Sequence, residues 1–264
     1  PLGGAPGYDA VAQALGGLMS VNGTPDTGAL RVGVPVVDIA TGLSAVIGVL
    51  LAVIERQRSG RGQFVEATLY DTAVSLLHPQ SANWLQSGQT PTLSGNAHSN
   101  IVPYDKFPTQ TCEVFLGIGN NGQWKKLCEF LGRPELAEEP RFATNADRLQ
   151  HRDALRALLE EHLLKVDGEW LCQELLAAGI PAGAVRTVPQ VLTAPHTLHR
   201  DMVVQVEGMS GIGIPVKLSR TPGRAHSAPP RFGQHTRELL LEHGYGVATI
   251  DALIARGTVQ QAAA

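Results

Sequence analysis

One acid stands out as a residue that could do chemistry. Asp38 lies in Val34-Pro35-Val36-Val37-Asp38-Ile39-Ala40-Thr41-Gly42, with apolar residues on both sides. Beyond it, Ile39 to Ile54 is apolar on nearly every face, broken only by Thr41, Ser44 and two glycines. A helix that is apolar all round is a buried helix. The pattern therefore predicts that Asp38 stands where an extended segment turns into a core helix. Two roles are open to it. As an N-cap it accepts hydrogen bonds from the orphan N–H groups of the first turn. As a carboxylate held beside a dry cleft it is a candidate nucleophile or base. The roles are compatible, because the positive end of a helix favours the ionised acid.

Other patterns are weaker. Gly117-Ile118-Gly119-Asn120-Asn121-Gly122 fits G-x-G-x-x-G, after a predicted strand and before a predicted helix, which is the setting of a dinucleotide fingerprint. The βαβ unit is not completed, however. Where a second strand with a terminal acid belongs, Gly132-Arg133-Pro134, an acidic irregular run and a long helix follow. A tight strand-to-helix turn is expected, with a nicotinamide-binding protein as the rival reading. Nine histidines are scattered without an H-x-x-x-H pair, so no metal site is expected. Neither G-x-S-x-G nor a P-loop occurs. His98 draws notice because it lies in Gly95-Asn96-Ala97-His98-Ser99-Asn100, and loops present polar groups to ligands; a solvated loop histidine is the plain alternative.

These residues need elements to hold them. The chain has 264 residues, 43% hydrophobic and 17% charged, enough for a real core and two domains. A net charge of −3 gives no sign of a broad nucleic-acid surface. Cys112, Cys128 and Cys172 make neither a disulfide framework nor a zinc pattern; Cys128 and Cys172 fall on predicted helices and read as core. The run Ile39 to Ile54 is short for a bilayer span and ends in Glu55, Arg56 and Arg58, so no membrane span is expected. The chain opens on Pro1, and Pro1-Leu2-Gly3-Gly4-Ala5-Pro6-Gly7 reads as a loop entered in mid-course, with no signal-peptide pattern. A missing N-terminal part is expected.

Along the chain, a helix from Asp9 ends at Gly16-Gly17 and a turn-rich loop spans 21–31. A strand is expected over 63–69 and one helix over 71–85, despite Pro79. Residues 86–100 lack periodicity, and a domain boundary is placed near them. A strand follows over 113–118, then helices over 123–131, 146–165 and 169–178. A short strand over 185–187 and a short helix over 188–192 precede a hairpin formed by 202–206 and 214–218. A Pro- and Arg-rich loop over 219–233 leads to closing helices over 234–243 and 248–256.

Five short motifs in order carry a resemblance. They are Gly7-Tyr8-Asp9-Ala10-Val11-Ala12-Gln13-Ala14 with Gly16-Gly17, then Val34 to Gly42, Ser59-Gly60-Arg61-Gly62-Gln63, Gly179-Ile180-Pro181-Ala182-Gly183, and Gly233-Gln234-His235-Thr236. Together they resemble the class III coenzyme A transferases (the CaiB/BaiF, formyl-CoA transferase-like family), which also include 2-methylacyl-CoA racemases. Gly95 to Tyr104 and Gly117 to Gln123 look most like the succinyl-CoA:glutarate branch, which moves CoA between dicarboxylic acids. The resemblance implies an α/β fold with a Rossmann-like large domain, incomplete here at its N-terminus, a smaller inserted α/β domain, and an interlocked homodimer. It places the large-domain portion at 1–95, the smaller domain at 96–218 and the return to the large domain at 219–264.

The resemblance also implies roles. Asp38 is the expected nucleophile of a CoA transfer from an acyl-CoA to a small carboxylic acid, through an aspartyl-CoA intermediate. Gly7, Tyr8 and Asp9 are expected to contact coenzyme A. Tyr8, Asn96, His98 and Tyr104 are expected to shape the acceptor pocket. No metal, nucleic acid or membrane partner is expected, and the location implied is cytoplasmic, or mitochondrial or peroxisomal in a eukaryote. The racemase branch carries a His at the position of Tyr8 and a Glu in the turn occupied here by Asn120-Asn121. Racemisation needs two bases, one for each face of the α-carbon, so these departures favour transfer. An acyl-CoA racemase and a catalytically silent fragment stand as the alternatives.

Overall fold

Glycines at 16, 60 and 88 end three of the helices, and the chain divides into two compact units, Pro1–Val185 and Arg186–Ala264. The computed structural model describes residues 6–262. Most of the loop expected over Pro1 to Gly7 lies outside them.

In the first unit, α1 (Asp9–Leu15) stops at Gly16, and Gly17 turns the chain with φ +85° into a 3-10 turn, Leu18–Val21. Gly16 is required by packing: a Cβ there would sit 2.4 Å from that of Ala73. The expected loop over 21–31 contains a minimal antiparallel ladder, β1 (Gly23–Thr24) with β2 (Gly28–Ala29). Next comes α2 (Val36–Ser59), closed by Gly60 at φ +75°, whose N–H returns to the Arg56 carbonyl.

The long helix departs from expectation. Val37 is fully buried, but Ile39, Leu43, Ile47, Leu50 and Leu51 are each more than half exposed. In its most apolar stretch only 6% is buried. An all-round apolar helix needs neighbours on every side. Here the small cluster of Ala12, Val37 and Ala73, ringed by Leu18, Val36, Leu69 and Leu76, covers only its start. At 24 residues α2 is also long and apolar enough to cross a membrane by length and composition, which the shorter run read from the sequence was not.

Residues 63–68 form no strand, since a strand requires a partner ladder and none of the described residues supplies one. Thr68 instead caps α3 (Leu69–Ser75), its hydroxyl accepting from the Asp71 N–H. The single helix expected over 71–85 is two. Pro79, which has no N–H to donate, separates α3 from α4 (Gln80–Ser87).

The main core of the unit is built on a three-stranded antiparallel sheet in the order β3 (Tyr104–Pro108), β4 (Glu113–Gly117) and β5 (Ala182–Ala184). Strand β3 escaped the sequence reading, and the last strand falls just before the predicted 185–187. Between the second and third strands run α5 (Asn121–Phe130), α6 (Asn145–Gln150), α7 (Arg152–Leu163) and α8 (Gly168–Ala177). The helix expected over 146–165 is interrupted at His151, with φ −112° and ψ 29°. Leu155, Leu159 and Leu163 lie on one face of α7 and are buried, while Leu149 before the break is exposed and Leu164 at the end of α7 points away from that face. Cys128 and Cys172 are buried in the same core.

The second unit holds α9 (Val188–Leu192), α10 (Pro195–His199), a hairpin of β6 (Val203–Val206) and β7 (Met209–Ile212), and α11 (Thr236–Glu242) and α12 (Val247–Ala255). The hairpin is tighter than expected. Glu207 and Gly208 both take positive φ, 50° and 81°, the geometry of a two-residue turn that matches strand twist. Residues 214–218 consequently stay outside the ladder. Every ladder among the described residues is antiparallel. The architecture is mixed α/β, and the parallel Rossmann-like sheet is not found among the described residues.

Candidate active site

Asp38 stands in the first turn of α2 and does not cap it. The residue at the N-cap is Pro35, which has neither a side-chain acceptor nor an N–H. The orphan N–H groups of the turn are nonetheless satisfied. Val36 donates to the Val34 carbonyl at 2.8 Å, and Ile39 begins the regular ladder by donating to the Pro35 carbonyl at 3.1 Å. The two between them, Val37 and Asp38, donate to one oxygen of Asp9 at 2.8 and 3.1 Å. An acid 28 residues upstream of Val37 thus does the work of the cap.

Asp9 is held for that work. It opens α1, only 8% exposed. Its other oxygen accepts from the Gln13 amide one turn on, and the Gln13 carbonyl oxygen accepts from the Val32 N–H at 2.8 Å. Gln13 is fully buried. Burial pushes the Asp9 carboxyl up, but the N–H donors of Asp38 and Val37, the Gln13 amide and the nearby Arg31 charge outweigh it, and the carboxyl is held below its ordinary range. Gln13 is a site residue that sequence reasoning missed; the signal was its i,i+4 spacing from Asp9 on one helix face.

The Asp38 side chain is exposed and accepts no hydrogen bond among the described residues. Tyr8 immediately precedes α1 and is 78% exposed, with its carbonyl accepting from the Ala12 N–H. Gly7 is exposed beside it. Of the residues expected to contact coenzyme A, Gly7 and Tyr8 are therefore open to solvent, whereas the carboxylate of Asp9 is engaged inward.

His98, Tyr104 and Asn96 form a second group. The His98 N–H donates to the Tyr104 carbonyl at 3.0 Å, and the rings meet edge to face at 5.2 Å. His98 Nδ1 accepts the Asn100 backbone N–H at 3.0 Å; a neutral ring therefore carries its proton on Nε2. The loop is pinned on several sides. Asn100 and Asn83 exchange side-chain amide bonds of 3.0 and 3.2 Å, Arg152 donates to the His98 carbonyl at 2.7 Å, and Gly95 donates to the Gly23 carbonyl at 2.7 Å. Asn96 is exposed on this loop.

A cavity of about 840 Å³ opens beside this loop, lined by Asn83, Ser99, Asn100, Asp105, Arg152 and Arg156 among others. Arg156 is engaged by Asp105 and, at 2.8 Å, by Glu160. Burial lowers the pKa of Arg152, against the nearby charges of Asp105 and Asp153. Neither Asp38 nor Tyr8 lines this cavity. The structure thus joins Asp9 to Asp38 and His98 to Tyr104, and links the two neighbourhoods through the Gly95–Gly23 hydrogen bond rather than in one pocket.

The glycine-rich turn after β4 is structural. Asn120 caps α5, accepting from the Gln123 N–H at 2.9 Å, while the Gln123 side chain accepts from the Gly119 N–H at 2.8 Å. Asn121 accepts from the buried Arg148 at 3.0 Å. The strand before the turn is antiparallel to both its neighbours, so no βαβ dinucleotide unit exists here. Among the described residues no group of three His, Cys, Asp or Glu side chains is placed to hold a metal ion.

What the geometry offers is an exposed, unengaged carboxylate on the first turn of a long helix. Comparison with known proteins gives this arrangement a family. Residues 1–236 match the family described as CoA-transferase family III. The chain belongs to that family. It is 35% identical over 245 residues to a succinate–glutarate CoA-transferase of Agrobacterium fabrum, covering 89% of this chain and 60% of that protein. It is 34% identical to a succinyl-CoA:mesaconate CoA-transferase of Haloarcula marismortui, covering 93% of this chain and 63% of the relative. A crystal structure of a CaiB/BaiF family protein from Brucella suis superposes with a TM-score of 0.78 at 37% identity, covering 92% of this chain and 64% of that one. The chain therefore spans about 60% of the length of the curated relatives it matches.

Proposed function

We propose that the protein carrying this chain transfers coenzyme A from an acyl-CoA to a small dicarboxylic acid, with Asp38 as nucleophile. The observation that carries the reading is the Asp38 carboxylate, exposed on the first turn of α2 and free of hydrogen bonds among the described residues. Ionised, it attacks the thioester carbonyl, and the C–S bond breaks to release CoA thiolate and leave a mixed anhydride. The thiolate attacks the aspartyl carbonyl, freeing the donor acid and leaving an aspartyl-CoA thioester. The acceptor carboxylate attacks that thioester, expelling thiolate and forming a second anhydride. Thiolate attack on the acceptor's carbonyl then gives the new acyl-CoA and returns Asp38. Covalent catalysis splits one hard exchange into easier steps.

Gly7 and Tyr8 serve coenzyme A binding, with Asp9 behind them, and Tyr8, Asn96, His98 and Tyr104 shape the acceptor side. The dicarboxylate assignment draws on the names of the relatives, which act between succinate or succinyl-CoA and glutarate or mesaconate. The exposed apolar flank of α2 is covered by protein in the working enzyme, an interlocked homodimer with a Rossmann-like large domain, rather than by lipid. Residues 1–95 and 219–264 belong to that large domain and 96–218 to the smaller one. The enzyme acts in a soluble compartment. Incubation with succinyl-CoA and hydroxylamine traps a hydroxamate at Asp38, found by peptide mass spectrometry. An Asp38→Ala protein that still exchanges CoA refutes the assignment.

A further inference from the structure

We infer that Pro35 and Asp9 are positioning residues that together keep the Asp38 carboxylate unbound. The inference rests on the reading of Asp38 as nucleophile and explains why an acid at this place in a helix is free to react. An acid in the third position of a helix ordinarily turns back and accepts the N–H of the N-cap residue. Here the N-cap is Pro35, and proline has no N–H to offer. That return bond is impossible. The other donors within reach of a first-turn carboxylate are the N–H groups of the turn itself. Those of Val37 and Asp38 are taken by Asp9 at 2.8 and 3.1 Å.

Asp9 cannot easily release them. Its carboxylate is nearly buried, its second oxygen is engaged by Gln13, and Gln13 is tied in turn to the Val32 N–H. The negative charge of Asp9 also offsets the positive helix end, which would otherwise quiet a neighbouring carboxylate. A carboxylate that accepts no hydrogen bond keeps its lone pairs available for attack on a thioester carbonyl. Capping and attack are thereby divided between two acids. The buried one satisfies the helix, and the exposed one keeps its lone pairs.

Two substitutions test the division. Asp9→Ala removes the cap, and hydrogen exchange at the Val37 and Asp38 amides quickens about tenfold, the size of one cap interaction. Pro35→Ala restores the missing N–H. Its far-UV spectrum and thermal midpoint hold, while carbodiimide-driven coupling of glycinamide to Asp38 slows severalfold, because the carboxylate now has a partner. The same Pro35→Ala protein forms the succinyl-CoA-dependent adduct about fivefold more slowly, with kcat falling and KM unchanged, a split that a general loss of structure would not produce. Unchanged exchange at residues 37 and 38 in Asp9→Ala, or wild-type labelling of Asp38 in Pro35→Ala, overturns the inference. A wild-type protein that labels normally but forms no acyl adduct refutes the nucleophile reading instead, since exchange and labelling measure the cap without turnover.

Discussion

Arg148 gives the sharpest test of how this chain holds its second group of candidate residues in place. Its side chain is fully buried, yet no carboxylate partners it among the described ion pairs. It donates instead to the carbonyls of Val102 at 2.6 Å and Phe142 at 2.9 Å, and to the Asn121 side chain at 3.0 Å, with its guanidinium 5.4 Å above the Trp124 ring. Burial lowers its pKa, and it remains a cation. Arg148→Met keeps much of the volume but strands the two carbonyls, on residues 3% and 1% exposed. A buried acceptor without a donor costs about 1–3 kcal/mol, and no side-chain substitution removes a main-chain carbonyl. Sparing the burial of a cation offsets part of the loss. The net expectation is about 3 kcal/mol, or a melting point lower by roughly 6–12 °C for a unit of this size. All three tryptophans, Trp84, Trp124 and Trp170, lie within the first unit, so urea unfolding followed by tryptophan fluorescence reads that unit directly. Asn121→Asp supplies the missing carboxylate and gains about 1 kcal/mol. A double-mutant cycle separates that gain from the favourable placement of an acid at the start of a helix. An Arg148→Met protein within about 0.5 kcal/mol of wild type refutes the reasoning.

Two further outcomes follow from the same structure. Burial pushes the Cys128 thiol up to about 12, against the opposing charge of Arg148, so only about one molecule in ten thousand is thiolate at pH 8; in a timed iodoacetamide reaction analysed by peptide mass, half-exposed Cys112 labels and Cys128 does not. The Asp9 carboxyl is held below its ordinary range in the folded chain, so its contribution to stability is complete above the ordinary carboxylate pKa and is lost as pH falls through the lowered folded value. Urea midpoints measured between about pH 5 and pH 2 fall less steeply for Asp9→Asn than for wild type, and equal slopes refute the linkage.

Local signals were legible wherever the physics is local. The end of α1 at Gly16 and the end of α2 at Gly60 follow from residue chemistry within a few positions. Legibility failed where the deciding partner is distant. Asp38 reads as a cap because an acid before an apolar helix usually is one, and nothing in Val34 to Gly42 reveals that an acid on another helix has taken the N–H groups. The strand expected over 63–69 has the right residues and lacks a partner ladder. The break at His151 is invisible to periodicity, because Leu149 keeps a helical spacing to Leu163 while the backbone is interrupted between them. The burial expected for α2 failed for a related reason. Hydropathy states that a surface must be covered and leaves open which residues cover it; among the described residues α2 is fully buried only at Val37, with Val65 lying against Gly48 further along.

The turn at Asn120 and Asn121 bears on the choice between the proposed transfer and its racemase alternative. Racemisation moves a proton off one face of a carbon and onto the other, so it needs two titrating groups. By the resemblance, the two positions that hold partners for the acid in the racemase branch fall here at Tyr8 and the pair Asn120-Asn121. A phenol is no base at neutral pH and a carboxamide does not titrate there. The asparagines are not idle either: one caps α5 and the other takes a bond from a buried cation. Replacing Asn121 with a longer acid would therefore be drawn toward Arg148 rather than toward a substrate. An acid in that turn is captured by the core, which agrees with the proposal that Asp38 acts by attack on carbon rather than by exchange of protons.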